Sequence, residues 1–453
     1  VLVIPLAGTL NAQYGLLILT WVTVLVCIAG LRTPRDAQPK PATDESGSVA
    51  SRSGRPRLAW AIGLLATGAS LAAGWTLREI PWSVIAYGRY AATWERILQP
   101  GIVRSDEVAE FPGSASEFCI MTGEGRNVTV AVTQERSGVK KFHGGGKVQA
   151  SSSYEDMRLQ RMLGHIPALV HENPKDVLVI ACGAGVTAGS FLPHPEVEKV
   201  VICDIEPLVP TKVTPHFAEQ NFDVVGEANA DRVDIHYDDG RHFIRTTDMK
   251  FDIITSDPID PWVKGCASLN TVEYYQMCRE HLKPGGIMAL WMPLYESDAE
   301  TLKSVIATFY EVFPNGVLWT NDYEKEGYDA VLFGQVEGTR IDLQAVQERL
   351  NKPDQARVVR SLKDIGFESV EELFATYAGD ASSMREWSAG AQLNTDQNLR
   401  LQYLAGLSLN SYISAGLLDG ILEHYEFPKE LFEGSTLQIA TLKYHLRNAG
   451  RPE

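Results

Sequence analysis

The stretch Lys175–Val186 (KDVLVIACGAGV) decides the fold of this chain. Its first half is a short apolar run of the kind that parallel sheets bury on both faces. The run passes directly into a glycine-rich turn, and a helix-like sequence follows. Glycine lets the backbone approach a ligand, and a helix N-terminus offers free N–H groups. The pattern therefore predicts the first βα unit of a nucleotide-binding α/β domain.

Three further strands are predicted downstream, and acidic residues follow each of them. They are Lys199–Cys203 before Asp204, Arg232–Tyr237 before Asp238 and Asp239, and Phe251–Ser256 before Asp257 and Asp260. Open α/β sheets bind ligands at the carboxyl edge of their strands, so these carboxylates are candidate site residues. Asp204 lies about 20 residues after the glycine turn, the spacing at which an acidic residue accepts hydrogen bonds from ribose hydroxyls. Glu280–Trp291 predicts a helix end, a Pro-Gly-Gly turn and a fifth strand.

Two aspartates occupy a proline-braced loop, Asp257–Pro261 (DPIDP). The prolines exclude a helix here, so Asp257 and Asp260 are predicted to be held rigidly and close together. Such a pair suits the capture of a cation or the deprotonation of an amine. An Asx-type turn with no chemical role is the alternative.

The N-terminal part is strongly apolar, and its first charge is Arg32. Residues 1–31 and 58–77 are each predicted to form a transmembrane helix, so the lipid bilayer is an expected partner. A signal peptide and a buried core helix are the respective alternatives. The abrupt apolar start without Met also suggests further helices upstream. Residues 32–57, rich in Pro, Ser and Gly, predict a flexible linker.

Charge and cysteine usage restrict the class of protein. Val1–Arg104 carries 10 Lys/Arg against 5 Asp/Glu, whereas the rest of the chain carries 31 against 52. A polyanionic nucleic acid is therefore not an expected partner of the large acidic part. The six cysteines include no C-x-x-C pair, so they are predicted to be buried thiols. No His, Cys and Asp cluster has metal-ligand spacing, and no metal is expected.

The remaining boundaries follow from changes in periodicity. We expect a juxtamembrane connector at 78–114, a small β-domain at 115–150, a catalytic α/β domain at 151–335 and a helical C-terminal region at 336–453. Tyr154–Val170 has helical spacing and should open the catalytic domain.

Six motifs in this order resemble those of the spermidine synthase (polyamine aminopropyltransferase) family. They are KDVLVIACGAG, KVVICDIEP, YDDGRHF, FDIITSDPIDP, GCASLNTVEYY and HLKPGGIM, and the resemblance covers about Lys140–Gln335. The family is a branch of the class I methyltransferase fold, so the resemblance implies a Rossmann-like α/β sheet behind a small N-terminal β-unit. The apolar segments in front resemble the membrane-fused bacterial branch of the family.

The resemblance also implies roles for seven residues. Gln149 would contact the cofactor or product, and Gly183 and Gly185 would cradle the cofactor. Asp204 would bind the ribose of the cofactor, and Asp239 would contact its adenine amino group. Asp257 would help to bind cofactor and amine, and Asp260 would accept or direct the proton of the attacking amine. The implied activity transfers an aminopropyl group from decarboxylated S-adenosylmethionine to a small-molecule amine such as putrescine.

Departures from the family pattern keep two alternatives open. Ala184 stands where the family has an Asp that repels the carboxylate of ordinary S-adenosylmethionine, and its loss favours a methyltransferase that uses ordinary S-adenosylmethionine. Leu159 and Gln160 replace a Tyr-His pair that lines the amine pocket, which favours a catalytically idle interaction subunit. A homo-oligomer or a membrane-protein partner also stays open.

Sidedness is predicted from two opposing arguments. Basic residues in the linker favour an external catalytic domain under the positive-inside rule. The cofactor, however, is made in the cytoplasm. We therefore expect a bacterial inner-membrane protein whose part Ala115–Glu453 faces the cytoplasm, with Asp36–Arg57 on the other side.

Overall fold

The computed structural model describes residues 3–30, 55–90, 117–257, 260–322, 327–409 and 413–451. The chain divides into two compact units. The first comprises Val1–Val84 with Glu124–Arg126, and the second comprises Ile85–Gly123 with Asn127–Glu453. The predicted linker 32–57 and connector 78–114 lie largely outside the described residues.

The first unit contains two long apolar helices, α1 (Val3–Gly30) and α2 (Arg55–Thr76). They contact each other, and a Cβ added at Gly74 would lie 3.4 Å from Leu17 Cδ1. A methyl group at this position would therefore make only an ordinary van der Waals contact with α1.

One of these helices meets the length and composition of a membrane span. Within the described residues, Ala7–Val26 is long and apolar enough to cross a bilayer. In α2 the apolar stretch is only Ala61–Thr76. At about 1.5 Å per residue it is shorter than a hydrocarbon core of roughly 30 Å. The prediction of a second transmembrane helix at 58–77 is thus not supported.

A short helix and a small sheet begin the second unit. Helix α3 (Trp82–Tyr87) comes first. The sheet has the order β1-β2-β3-β4, formed by Glu117–Glu124, Thr129–Glu135, Lys140–Gly144 and Lys147–Ser151. Its pairs β2–β3 and β3–β4 are antiparallel. The predicted small β-unit is therefore present.

An eight-stranded sheet follows, in the order β13-β10-β11-β9-β8-β5-β6-β7. Its strands are β5 (Asp176–Ile180), β6 (Lys199–Cys203), β7 (Val233–His236), β8 (Phe251–Ser256), β9 (Leu282–Pro293), β10 (Val317–Asn321), β11 (Asp329–Gln335) and β13 (Tyr377–Asp380). Strands β5 to β9 pair in parallel, and β11, β10 and β13 extend the sheet with antiparallel pairs. The five strands predicted from the apolar runs are these parallel ones.

Both faces of the sheet are covered, which explains the uninterrupted apolar run of β5. Val177 and Val179 belong to one buried cluster, whereas Leu178 and Ile180 belong to a second. Successive side chains of a strand point to opposite faces, so a strand covered on both sides needs apolar residues throughout.

Helices of the second unit pack around this sheet. They are α4 (Tyr154–Val170), α5 (Val186–Gly189), α6 (Gly240–Thr246), α7 (Val272–His281), α8 (Ala299–Val312), α9 (Leu343–Leu350), α10 (Ala356–Lys363), α11 (Val370–Phe374), α12 (Arg400–Leu404), α13 (Ser414–Leu422) and α14 (Thr436–Asn448). The predicted helix Tyr154–Val170 has the predicted bounds. Ser153 caps it by accepting a hydrogen bond from Asp156 N.

The C-terminal region, which was predicted to be helical, contributes short strands as well as helices. Besides α9 to α14, this region supplies β13, which adds an edge strand to the main sheet beside β10. It also forms a short parallel pair between β12 (Ile341–Asp342) and β14 (Phe432–Glu433). These strands have two to four residues. They are too short to produce a recognisable alternating pattern.

Candidate active site

The two glycines of the turn after β5 adopt backbone conformations that favour glycine. Gly183 and Gly185 have φ angles of 53° and 79°, in the left-handed region that favours glycine. A Cβ added at Gly183 would meet nothing within 4 Å, whereas one at Gly185 would lie 2.5 Å from Thr214 Cγ2. Gly183 therefore leaves backbone open to a ligand, and Gly185 permits close internal packing. Ala181 shares the left-handed conformation, with a φ of 71°.

Asp204 is buried at the end of β6 and is tied to the glycine turn. Its carboxylate accepts hydrogen bonds from Cys182 N and Glu206 N, both at 2.8 Å. Burial raises its pKa to about 6, although these two hydrogen bonds oppose the shift. Each carboxylate oxygen can accept a further hydrogen bond, so the group can still meet a ribose hydroxyl while it shapes the turn.

Asp239 follows β7 and begins helix α6. Its side chain accepts a hydrogen bond from His242 N at 2.9 Å, which makes it the N-cap of this helix. Asp239 is half-buried. Since β6 and β7 are neighbours in the sheet, Asp204 and Asp239 both follow adjacent strands at the carboxyl edge.

Asp257 extends the site from the glycine turn toward a group of acids. The Thr187 hydroxyl, on the helix that follows the turn, donates a hydrogen bond to Asp257 Oδ2 at 3.3 Å. Burial raises the pKa of Asp257 to about 7, and the charge of Asp156 adds to the shift. The pKa of Asp329 lies well above its usual value for the same two reasons, burial first and Asp156 second. Asp257 is thus poised to change protonation near neutrality.

Asp260 has a different partner from Asp257. Its carboxylate is 2% exposed, and its Oδ2 lies 2.7 Å from the Nζ atom of Lys147 on β4. Lys147 Nζ also lies 3.2 Å from Glu296 Oε2, and Glu296 Oε1 lies 2.8 Å from Arg89 Nη2. The buried carboxylates of Asp260 and Glu296 therefore alternate along one chain of ion pairs with the buried Lys147 and the half-buried Arg89. The expected close pairing of Asp257 with Asp260 gives way to separate partners.

Aromatic rings enclose these ion pairs. Lys147 Nζ lies 5.2 Å from the ring centroid of Tyr295 and 5.7 Å from that of Trp262, and the Arg89 guanidinium lies 4.5 Å from Trp262. Burial by itself would raise the pKa of Glu296, but the hydrogen bonds and charges of Arg89 and Lys147 outweigh it and lower that pKa. Glu296 is therefore held as a carboxylate.

A cavity of about 740 Å³ adjoins these residues. It is lined by Lys147, Val148, Gln149, Asp156, Tyr295, Glu296, Tyr328 and the segment from Ile413 to Gly416. Gln149, which the resemblance predicts to contact the cofactor or product, lines this cavity, and its Nε2 donates to Gly144 O at 3.1 Å. The cavity is large enough for a small organic ligand.

The segment Leu393–Asp396 braces the loop that follows Asp260. Asn394 is fully buried and donates to Ala267 O and Asn270 O at 2.9 and 2.8 Å. Asp396 accepts a hydrogen bond from Thr271 Oγ1 at 2.8 Å and pairs with Arg241. Farther along, Gln402 Nε2 donates to Trp262 O at 2.6 Å. The C-terminal region therefore positions the Asp260 loop, a role its sequence did not reveal.

The residues that depart from the family pattern are buried. Ala184 is 1% exposed and its carbonyl accepts a hydrogen bond from Asn221 Nδ2. Leu159 packs in the hydrophobic core, and Gln160 Nε2 donates to the carbonyl oxygens of Ser151 and Asp156. Leu159 and Gln160 thus stabilise helix α4 and the strand beside it.

Two histidines and three cysteines lie in the buried interior. His165 Nδ1 lies 2.9 Å from His194 Nε2 and its Nε2 lies 2.8 Å from Ser361 Oγ, within the buried interior. Cys182, Cys203 and Cys278 are buried as predicted, whereas Cys119 and Cys266 are half-buried. Among the described residues, no group of three or more His, Cys, Asp or Glu side chains is arranged to hold a metal ion.

Sequence reasoning missed Lys147 and Glu296. Lys147 lies only two residues before Gln149, and a charged residue inside a predicted strand was the available signal. Nothing in the pattern around Glu296 distinguishes it from a surface carboxylate. Lys147 reaches Asp260 across 113 residues of sequence, and Glu296 joins the site through its ion pairs with Lys147 and Arg89.

Together, the glycine turn and the carboxylates after successive parallel strands define an α/β fold of the class I methyltransferase type. Residues 156–321 match the family model described as "Spermine/spermidine synthase domain". This match confirms, over those residues, the predicted resemblance to the spermidine synthase family.

Known relatives align with the central part of the chain. The polyamine aminopropyltransferase of Thermotoga maritima is 27% identical over 199 residues, which cover 41% of this chain and 65% of that protein. The polyamine aminopropyltransferase of Leptospira biflexa is 34% identical over 154 residues, which cover 34% of this chain and 53% of that protein. The chain therefore spans less than two thirds of the length of these relatives.

A solved structure, the spermidine synthase of Thermotoga maritima, also aligns with the chain. The TM-score is 0.48 with 22% sequence identity, and the alignment covers 59% of this chain and 87% of that one.

Proposed function

We propose that the protein is a membrane-anchored aminopropyltransferase that uses decarboxylated S-adenosylmethionine and a small-molecule amine such as putrescine. The match to the family model and the names of the relatives support the reaction class. The observation that carries the proposal is at Asp260, whose buried carboxylate holds an ammonium group 2.7 Å away. The ammonium belongs to Lys147, which lines the adjoining cavity together with Gln149.

The donor side of the proposed reaction uses the glycine turn. Gly183 leaves its backbone open, Asp204 lies behind the turn, and Asp239 follows the next strand. Carboxylates in these places can accept hydrogen bonds from ribose hydroxyls and from an adenine amino group. Asp257, tied to the turn through Thr187, would lie between the donor and the acceptor.

The acceptor side requires a carboxylate that takes up a proton. A protonated amine cannot attack, so Asp260 would bind the ammonium form and accept its proton as the nitrogen attacks. The new C–N bond forms at the methylene carbon next to the sulfonium, the C–S bond breaks, and methylthioadenosine leaves. Holding both reactants in one site supplies much of the acceleration.

A methyltransferase is the second candidate function, and one observation favours it. Ala184 places a buried apolar side chain where a carboxylate would repel ordinary S-adenosylmethionine. Calorimetry on the full chain in detergent, with each cofactor in turn, tests the two candidates. The proposed function predicts tighter binding of the decarboxylated cofactor and formation of an aminopropylated amine. Tighter binding of ordinary S-adenosylmethionine, together with formation of a methylated product, would favour the second candidate. A chain that binds neither cofactor would be a catalytically idle subunit.

Membrane anchoring and sidedness belong to the same proposal. The anchor would be the apolar helix Ala7–Val26. The part Ala115–Glu453 would face the cytoplasm, where the cofactor is made. Protease added to sealed right-side-out vesicles should cut the linker Asp36–Arg57 and spare the domain. Digestion of the domain instead would reverse the proposed topology.

A further inference from the structure

Lys147 is an unusual residue to find beside a candidate catalytic carboxylate. It begins strand β4, its side chain is 6% exposed, and its Nζ lies 2.7 Å from Asp260 Oδ2 and 3.2 Å from Glu296 Oε2. Burying a lysine ammonium is unfavourable unless carboxylates compensate its charge. Here two carboxylates do so.

The surroundings of this ammonium are those that a free alkylamine would need. Asp260 accepts a hydrogen bond from it, and Glu296 Oε2 lies 3.2 Å away as a second carboxylate. The rings of Tyr295 and Trp262 lie within 6 Å, a distance at which aromatic faces attract cations. Lys147 also lines the cavity that Gln149 lines. Lys147 thus resembles an alkylamine ligand that is covalently attached to the protein.

We infer that Lys147 occupies the acceptor-amine position at Asp260 and thereby determines which acceptors the site can take. The inference rests on the proposed function only in identifying Asp260 as the acceptor side. A tethered group competes with a free ligand at an effective concentration of about millimolar or more. A free primary amine must therefore displace Lys147 before its own ammonium can reach Asp260.

Charge balance supports the same conclusion. Asp260 and Glu296 contribute two negative charges, and Lys147 and Arg89 contribute two positive charges within contact distance. A diammonium acceptor would add positive charge to a set of groups that is already neutral. Replacing Lys147 by an apolar residue of similar length would leave one negative charge uncompensated, and a small primary ammonium could restore the balance.

The test measures binding and does not depend on turnover. Putrescine is titrated into the full chain in detergent with saturating methylthioadenosine, for the wild type, Lys147→Met and the control Lys141→Met. Lys141 lies on the neighbouring strand β3 and pairs with the partly exposed Glu135. We expect Lys147→Met to bind putrescine at least ten-fold more tightly than the wild type, and Lys141→Met to bind like the wild type. Equal affinity of all three proteins would overturn the inference.

A second variant covers the case in which Lys147→Met does not fold. Lys147→Ala leaves room for a short alkylamine beside Asp260, so propylamine should raise its thermal unfolding midpoint in a saturable manner. The wild type should show no such rise. Absence of any propylamine effect on the variant contradicts the inference. Because both readouts are binding, the two failures can be distinguished: absence of aminopropyl transfer counts against the proposed function, and absence of amine binding in both variants counts against this inference.

Discussion

The donor half and the acceptor half of the candidate site are built on different principles. In the donor half, Asp204 and Asp239 accept hydrogen bonds from backbone N–H groups close to them in the fold. In the acceptor half, Asp260 pairs with a side chain from a different sheet. Backbone contacts follow from a local strand-turn-helix sequence, whereas a side-chain ion pair changes with a single substitution. The donor half therefore depends mainly on its backbone, and the acceptor half depends on the side chain that faces Asp260.

The largest expected effect concerns the donor half. Asp204→Ala should weaken methylthioadenosine binding by about 100-fold or more. The substitution removes the two charge-assisted hydrogen bonds expected between the carboxylate and the ribose hydroxyls, which are worth roughly 1.5–3 kcal/mol each. It should also loosen the glycine turn, since Cys182 N loses its acceptor. Titration calorimetry on the variant and on the surface control Asp234→Ala measures the effect. Unchanged affinity would show that Asp204 has no part in cofactor binding.

The next largest effect concerns the acceptor half. Asp260→Asn keeps the shape of the side chain but cannot accept a proton, so aminopropyl transfer should be lost while methylthioadenosine binding is retained. Removing one partner of a buried ion pair costs about 3–5 kcal/mol. We expect the free energy of unfolding to fall by an amount near the lower end of this range, because Lys147 keeps its ion pair with Glu296. A variant that turns over normally would exclude Asp260 from the chemistry.

The brace from the C-terminal region should have a smaller effect. Asn394→Ala removes two donated hydrogen bonds and leaves Leu401 N without its side-chain acceptor. At about 1 kcal/mol for each bond, the free energy of unfolding should fall by roughly 2–3 kcal/mol. Asn398→Ala is the matched control, since Asn398 also makes three hydrogen bonds but is exposed, so water can replace them. If denaturant titrations give Asn394→Ala and Asn398→Ala equal losses in the free energy of unfolding, burial does not explain the contribution of Asn394.

The last expected effect is a pH dependence of stability. Asp257 has a pKa raised from 3.8 to about 7 in the folded protein. Its neutral form therefore contributes stability that is fully present below about pH 4 and is lost as the pH rises through about 7. Asp257→Asn should reduce the fall in the free energy of unfolding between pH 4 and pH 7.5.

Denaturant titrations at several pH values, with the exposed Asp231→Asn as control, measure this slope. Some slope should remain in Asp257→Asn, because burial also raises the pKa of Asp204, Asp156 and Asp329. An unchanged slope in Asp257→Asn would mean that Asp257 is ionised throughout this range.

Much of the fold could be predicted because its signals are local. The apolar runs Lys199–Cys203 and Phe251–Ser256 have the bounds of the strands they form, and Tyr154–Val170 has those of its helix. The edge strand Tyr377–Asp380 could not be predicted, since four residues carry no period and their pairing with β10 depends on the finished sheet. The second transmembrane helix was predicted from the uncharged run 58–77. The apolar part of that run is only Ala61–Thr76, which is too short to support the prediction.

The sequence by itself determined the glycine turn and the carboxylates at the carboxyl edge of the parallel strands. Glycine conformations and strand ends depend on neighbouring residues, so they can be read from short segments. Only the tertiary structure decided what those carboxylates meet. Asp260 reaches Lys147 across 113 residues of sequence, and Asp257 reaches Thr187 across 70. Contacts between buried charged and polar groups depend on which distant elements pack together. In this protein, that packing places the ammonium group of Lys147 against Asp260, the carboxylate proposed to bind the ammonium group of the substrate.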